Sequence, residues 1–306
     1  MTYVISDNDN GATVLFYLKQ RLCLSRKQTT LLKKRERGIL LNGSRVTVRA
    51  VLKCGDILEL DTDDSVEDIN EFVEPVELPL DIIYEDDDII AVNKPGGMPT
   101  HTSLNHRYDT LANSLAFYFK DKMNFVFRAV GRLDKDTSGV VLVAKNRRAG
   151  FILSSAIAKG DIKKEYTAIL NGYLHPDEGI IEAPIARKAE SIIERVIRSE
   201  AEGGQYARTD FKVVSRGGGM SLVLASPITG RTHQLRVHFS HIGHYIMGDT
   251  LYGPRDADTV TPRQALHCNS LTFTHPTSGE RMTVTAELHD DMKILLNKMS
   301  DDDKSI

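Results

Sequence analysis

Residues 140–144 (Val-Val-Leu-Val-Ala) form an unbroken apolar run inside the stretch GRLDKDTSGVVLVAKN, residues 131–146. A run of this length without polar alternation suits a strand covered on both faces, so the chain must build a sheet with packing on each side. The strand is entered through charge. Asp134 and Asp136 stand two residues apart beside Arg132 and Lys135, and a Thr-Ser-Gly turn follows. Charged groups cost free energy wherever they leave water unpaired, so this entrance calls for an explanation.

The rest of the chain sets the strand in a mixed architecture. Residues 13–50 read as a small unit. Val14, Leu15, Tyr17 and Leu18 give a helical stripe, Ser25 can cap a second helix that ends near Gly38, and Asn42-Gly43 marks a hairpin after Ile39–Leu41. Residues 61–79 are acidic with little periodicity and read as a linker. From about residue 80, two strands flank the acidic turn Glu85-Asp86-Asp87, and Asp109 can cap a helix carrying Leu111, Leu115 and Phe119. Residues 147–159 place Ala149, Ile152, Leu153, Ala156 and Ile157 on one helical face stopped by Gly160. KEYTAILNGYL reads as a strand, residues 207–226 as a hairpin around Gly217–Gly219, and residues 231–243 as a helix. Strands outnumber helices and most are joined as hairpins. The expected class is therefore α+β, with a mixed, largely antiparallel central sheet and flanking helices, preceded by a small α/β unit.

Composition narrows the setting. The 306 residues are 41% hydrophobic and 26% charged, ordinary values for a globular protein, and no apolar run approaches a membrane span. Three widely spaced cysteines and an N-terminus without a secretory pattern lead to an expectation of free thiols and a cytoplasmic location. The net charge of −3 hides an asymmetry: residues 11–50 hold ten Lys or Arg and one acid, while residues 54–90 hold fifteen acids and no Lys or Arg. The basic run suits contact with phosphates, and the acidic run suits a solubilising spacer.

Several chemistries lack their motifs. No GxGxxG follows a strand, Pro254 stands where a phosphate-binding loop needs lysine, and no GxSxG surrounds Ser138. His238, His241 and His244 lack a companion Cys or Glu at useful spacing, and Gly243 interrupts their helix, so surface or hydrogen-bonded histidines are expected. For Asp134 the residues alone leave more than one reading. It can cap a turn before the strand, or it can pair with Asp136 as in an aspartate phosphotransferase. The second fits poorly because Arg132 closely precedes it and Thr137 is one position early.

The same stretch resembles the central motif of the pseudouridine synthases that modify large-subunit ribosomal RNA, HRLDxxTSGxxLxAK. Asn93-Lys94-Pro95-Gly96 is similar to that family's first motif, Lys164-Glu165-Tyr166 to its tyrosine motif, and Thr229–Arg236 to its third, all in family order across residues 80–290. Residues 13–60 resemble the small alpha-L (S4-like) RNA-binding domain. The resemblance implies two domains, 1–75 with the linker and 76–306 with the catalytic fold, and an enzyme that isomerises uridine to pseudouridine in RNA. A uracil inside a helix must first be flipped into a pocket.

By the same resemblance Asp134 is the catalytic carboxylate, Arg231 holds it ionised and oriented, and Tyr166 stacks on the flipped base and assists proton movement at carbon 5. Arg132 fills the gap left in the RNA stack. Lys94, Ser25, Arg26, Lys27, Lys33, Lys34, Arg37 and Asn42 are the further RNA-contacting candidates. No cofactor or metal is expected. The partners are ribosomal RNA of the large subunit or transfer RNA, no membrane is involved, and a monomer is expected. One position departs from the motif: Gly131 stands where the family has histidine. A different class of function, an RNA-binding assembly factor with an inactive site, is disfavoured by the joint presence of Asp134, Tyr166 and Arg231.

Overall fold

The apolar run at 140–144 is the middle of a strand, Ser138–Ala144, buried along its whole length. The computed structural model describes residues 1–62, 73–122, 125–254 and 261–301. Its elements are β1 Thr2–Val4, α1 Val14–Phe16, α2 Arg26–Lys34, β2 Ile39–Leu41, β3 Ser44–Arg45, β4 Ile57–Leu60, β5 Ile82–Glu85, β6 Ile89–Lys94, α3 Leu111–Phe119 and β7 Ala129–Val130. They continue with β8 Ser138–Ala144, α4 Arg147–Lys159, β9 Lys163–Asn171, β10 Glu178–Glu182, β11 Ile185–Arg187, β12 Arg195–Ile197, β13 Arg208–Gly217, β14 Met220–Pro227, α5 Gln234–His241, β15 Leu266–Thr274, β16 Arg281–Thr285 and α6 Asp290–Asp301.

The central sheet runs β10-β13-β14-β9-β15-β8-β6-β5, with β16 added beside β15 and β7 beside β8. Among the described residues every pairing in it is antiparallel except β15 with β8. That parallel junction explains the Gly of Thr-Ser-Gly. A Cβ at Gly139 would lie 2.2 Å from the Cys268 carbonyl oxygen, so only glycine lets the two strands approach. The sequence suggests a turn here; Ser138 and Gly139 instead begin the strand itself.

Register places one row of residues side by side across the middle of the sheet. Lys94 pairs with Gly139, Gly139 with Cys268, Cys268 with Tyr166, and Tyr166 with Ala225. Two sequence motifs that lie far apart in the chain, the first and the tyrosine motif, are therefore brought to one level of one sheet. The loop that carries Asp134 enters β8 at that level.

Local signals set the helix ends. Asn146 caps α4 by accepting from the Ala149 N–H, and Gly160 ends it at φ +76°, a conformation that costs glycine no side-chain clash. At α3 the cap is Thr110 in a capping box with Asn113, while Asp109 pairs with His106. Helix α5 starts only at Gln234, because His233 sits at φ +57° and breaks the helical pattern before it. This start moves Arg231 off the helix.

Residues 1–60 form their own four-stranded sheet, β1-β4-β2-β3, with Asn42 and Gly43 both at positive φ in the expected hairpin. Most of the acidic stretch, residues 63–72, lies outside the described residues. The small sheet has a separate apolar cluster that includes Val14, Leu18, Leu32 and Leu58, and one member comes from far along the chain: Phe151 of α4. Truncating a buried phenylalanine typically costs about 3–5 kcal/mol. Phe151→Ala should therefore destabilise the N-terminal unit by about that amount, seen as faster amide exchange in β2 and β4 than in β8. Equal exchange in both sheets would contradict the assignment of Phe151 to the N-terminal core.

Candidate active site

The loop 131–137 is held from beneath by buried cations. The Lys94 ammonium, fully buried, donates to the carbonyls of Pro95, Met98 and Lys135 at 2.8, 2.7 and 3.0 Å. Burial, with the nearby Arg263 charge, pushes the Lys94 pKa down to about 7 against the opposing pull of Asp136 and Asp134. Arg263 donates to the Asp136 carbonyl at 2.9 Å and to the Ser138 hydroxyl at 3.0 Å, while Asp291 of α6 fixes its other edge at 2.7 Å. Thr100 accepts from the Leu133 N–H and donates to the Leu133 carbonyl, and Gln264 donates to the Thr137 hydroxyl.

These contacts account for the charged entrance to the strand. The loop's carbonyls turn inward onto cations, and the Asp134 side chain remains one-fifth exposed on the other side. It lines a cavity of about 270 Å³ and is the one carboxylate among the described lining residues. Tyr166, Leu266, Arg132, Lys164, His233 and Arg236 share that cavity.

Two cationic or titratable groups face Asp134. Arg236 Nη1 lies 3.5 Å from Asp134 Oδ2, an ion-pair distance longer than a tight hydrogen bond, and His233 Nε2 lies 3.8 Å from the same oxygen. The rest of the Arg236 fork is bound bidentately by Asp249, which is fully buried, at 2.7 and 2.8 Å. Asp249 Oδ1 also accepts from the Leu251 and Tyr252 N–H groups, so it is fixed in turn. His233 Nδ1 is 2.7 Å from the Tyr252 hydroxyl, which accepts from the Arg195 N–H. Burial, with the charges of Arg236 and Arg195, holds the His233 imidazole below its usual pKa against the opposing pull of Asp134.

Tyr166 is buried beneath the cavity next to Cys268. Burial first, and the Cys268 thiol second, push its phenol well above the ordinary range. A phenol so placed stays protonated at neutral pH, which suits a stacking face and a hydrogen-bond donor rather than a base.

The sequence-derived candidates fall into distinct places. Asp134, Tyr166 and Arg132 meet at the cavity, Arg132 at its exposed rim. Arg231 also lines it, but its Nε donates to the Tyr206 carbonyl and its Nη1 to Gln205, so the pairing expected with Asp134 is made by Arg236. The physical reason is the late start of α5 at Gln234, which puts residue 236 rather than 231 on the helix face turned to the loop. Lys94, expected at the RNA, is wholly buried and pins the loop instead. Ser25 caps α2, and the Asn42 carboxamide is engaged by Asp56 and the Ile57 N–H. Arg26, Lys27, Lys33, Lys34 and Arg37 are exposed on the N-terminal unit. At Gly131 the backbone has φ +84°, and a Cβ would lie 2.9 Å from Lys164 Nζ, so a histidine would be strained and would displace that ammonium. His238 and His244 are hydrogen-bonded to Thr209, the Ala183 carbonyl and the Asn171 carbonyl.

His233, Asp249, Tyr252 and Arg263 escaped the sequence reading. The one available signal was the left-handed break before Gln234, and a Thr-His pair does not announce it.

The model of the RNA pseudouridylate synthase family matches residues 88–241, a span that contains both Asp134 and Arg236. The chain belongs to that family. The Bacillus subtilis RNA pseudouridine synthase YjbO is 39% identical over 276 residues, covering 90% of this chain and 95% of that protein. The ribosomal large subunit pseudouridine synthase D of Nitrosomonas europaea is 40% identical over 228 residues, 72% of this chain and 65% of that one. Among solved structures, human RNA pseudouridylate synthase domain containing 1 superposes with a TM-score of 0.58 at 31% identity, covering 69% of this chain and 84% of that one.

In this synthase the Arg236 guanidinium reaches two carboxylates at once, a task that lysine cannot reproduce. Arg236→Lys should slow single-turnover conversion by roughly 10- to 100-fold, about 1.4–2.7 kcal/mol, while Arg231→Lys stays within roughly threefold. The reverse order would return the pairing role to Arg231. Lys94→Met leaves three carbonyls without their donor and should lower stability by about 2–4 kcal/mol in urea unfolding. An unchanged midpoint would show that the loop does not depend on the buried ammonium.

Proposed function

We propose that this synthase converts specific uridines of large-subunit ribosomal RNA to pseudouridine, with Asp134 as the acting carboxylate. The observation that carries the reading is the isolation of that carboxylate. It is the one acid among the described lining residues of a cavity that also holds Arg132, Lys164, Arg231 and Arg236, and it faces Arg236. The names of relatives such as the Nitrosomonas europaea enzyme support ribosomal RNA as the substrate.

The reaction breaks the bond from ribose carbon 1′ to uracil nitrogen 1 and makes one from the same carbon to uracil carbon 5. Carbon 5 loses its proton and nitrogen 1 gains one, so the change is redox-neutral. The target nucleotide leaves its stack and enters the cavity, with Arg132 at the rim filling the vacated place. Tyr166 lies under the base. Asp134, facing Arg236 at 3.5 Å, attacks the ring or sugar carbon or stabilises positive charge that develops as the glycosidic bond opens. Asp249 keeps Arg236 from swinging away. Residues 1–75 serve as an alpha-L (S4-like) RNA-binding domain, residues 76–306 as the catalytic domain, and the enzyme acts in the cytoplasm as a monomer. No helix of the described residues is long and apolar enough to cross a membrane.

Asp134→Asn keeps shape and removes charge, so tritium release from carbon 5 of labelled uridine should fall below detection while filter binding of the RNA persists. Asp136→Asn, whose residue contributes its backbone carbonyl to Arg263, should keep most activity. An active Asp134→Asn with a dead Asp136→Asn would reopen the phosphotransferase reading. Absence of tritium release from the wild-type protein on every ribosomal RNA tested would favour the inactive assembly factor.

The exposed cations of the N-terminal unit meet phosphates in this reading. Each contact removed by Arg26→Gln, Lys33→Gln or Arg37→Gln should flatten the slope of log affinity against log salt by about 0.7–0.9. Slopes that stay at the wild-type value would remove these residues from the interface.

A further inference from the structure

Both groups that face Asp134 lean on one side chain, Tyr252. Its hydroxyl lies 2.7 Å from His233 Nδ1, and the two rings meet in a T-shaped contact with centroids 5.6 Å apart. The Arg236 guanidinium carbon sits 5.1 Å from the centre of the same tyrosine ring, within cation–π range. Other elements hold the tyrosine in turn. Its phenol oxygen accepts from the Arg195 N–H of β12 at 2.9 Å, and its carbonyl accepts from the Ser240 hydroxyl of α5 at 2.7 Å. Its own N–H goes to Asp249, the carboxylate that clamps Arg236.

Proton counting gives the state of His233. Among the described residues the Tyr252 hydroxyl has two partners, the Arg195 N–H and His233 Nδ1. A phenol has one proton to donate, and burial pushes the pKa of this one up to about 12, so it keeps that proton at neutral pH. The Arg195 N–H is itself a donor and cannot receive it. The proton therefore points at Nδ1, which must present a lone pair. Burial, against the pull of Asp134, holds the imidazole below its usual pKa, so the neutral ring carries a single N–H. With Nδ1 accepting, that hydrogen is on Nε2, the nitrogen 3.8 Å from Asp134 Oδ2. The separation exceeds a hydrogen bond, so the ring acts on the carboxylate through the positive end of its N–H dipole.

We propose that Tyr252 is a positioning residue for the isomerisation: its hydroxyl fixes His233 as the Nε2–H tautomer turned to Asp134, and its ring seats Arg236 against the same carboxylate. The proposal rests on the reading of Asp134 as the acting group. It divides one aromatic side chain between two tasks. The hydroxyl end sets where a proton stands, and the ring sets where a charge stands.

The test uses the full-length protein carrying isotope-labelled histidine. Long-range proton–nitrogen correlation spectra distinguish the two imidazole tautomers, and the His233 signals are those absent from His233→Gln. Wild type at neutral pH should show the Nε2–H form at His233, and Tyr252→Phe should show both forms in exchange. An Nδ1–H ring in the wild type would overturn the proposal without any variant having to stay active.

In single-turnover tritium release, Tyr252→Phe keeps the ring and should slow conversion roughly fivefold, whereas Tyr252→Leu loses both ends and should slow it roughly 50-fold. His233→Gln retains an N–H donor and should convert roughly fivefold faster than His233→Leu. Filter binding should show the RNA still held by each variant. Wild-type rates in Tyr252→Phe and Tyr252→Leu would overturn the positioning role, as would equal rates in His233→Gln and His233→Leu. Asp134→Asn separates the two levels. If it is inactive while Tyr252→Leu converts at the wild-type rate, the role of Tyr252 fails alone; if it stays active, the reading of Asp134 fails and the role of Tyr252 with it.

Discussion

Two buried cations hold the loop 131–137 by its backbone, and the position of Asp134 depends on them. Lys94 binds the Lys135 carbonyl and Arg263 binds that of Asp136, so the residues just after Asp134 cannot turn outward. A buried ammonium is tolerable because each of its hydrogens has an acceptor, and Arg263 is neutralised by Asp291. The cost of placing cations inside the fold is offset by a loop fixed on one side only. Its free side carries the carboxylate.

The sheet supplies the level at which this loop sits. Lys94, Gly139, Cys268 and Tyr166 occupy one row, so the lysine below the loop and the tyrosine below the cavity are set by the same strand register. A slip of one residue in β8 would turn its side chains to the opposite face and dismantle both supports together. Helix α5 brings Arg236 in from outside that row, and Asp249 aims it. Support from the sheet fixes where the carboxylate is, and support from α5 fixes the charge it meets.

Much of this was legible beforehand. The apolar run gave the buried strand, Gly160 the end of α4, and the Asn42-Gly43 pair the hairpin, because each is a local signal acting within a few residues. The family relation was legible through four motifs in order, and the mixed, mostly antiparallel sheet through strands joined as hairpins. The choice between Arg231 and Arg236 was not. It turns on a single left-handed residue, His233, which shifts the helix start, and nothing in Thr-His-Gln compels that conformation. Lys94 was misplaced for a related reason. A lysine in a motif that other features tie to RNA reads as a phosphate contact, and only the three-dimensional path of the chain shows carbonyls converging on it from residues 95, 98 and 135.

Phe151 bears on how the protein comes into being. Residues 1–60 leave the ribosome well before α4, yet one aromatic side chain of their apolar cluster belongs to α4. During synthesis the N-terminal unit therefore waits with its core open on one side, a transient apolar surface of the kind that chaperones shield. Closure comes only when the helix that also borders the Asp134 cavity has formed. The unit rich in basic residues is thus completed by a helix that also borders the Asp134 cavity.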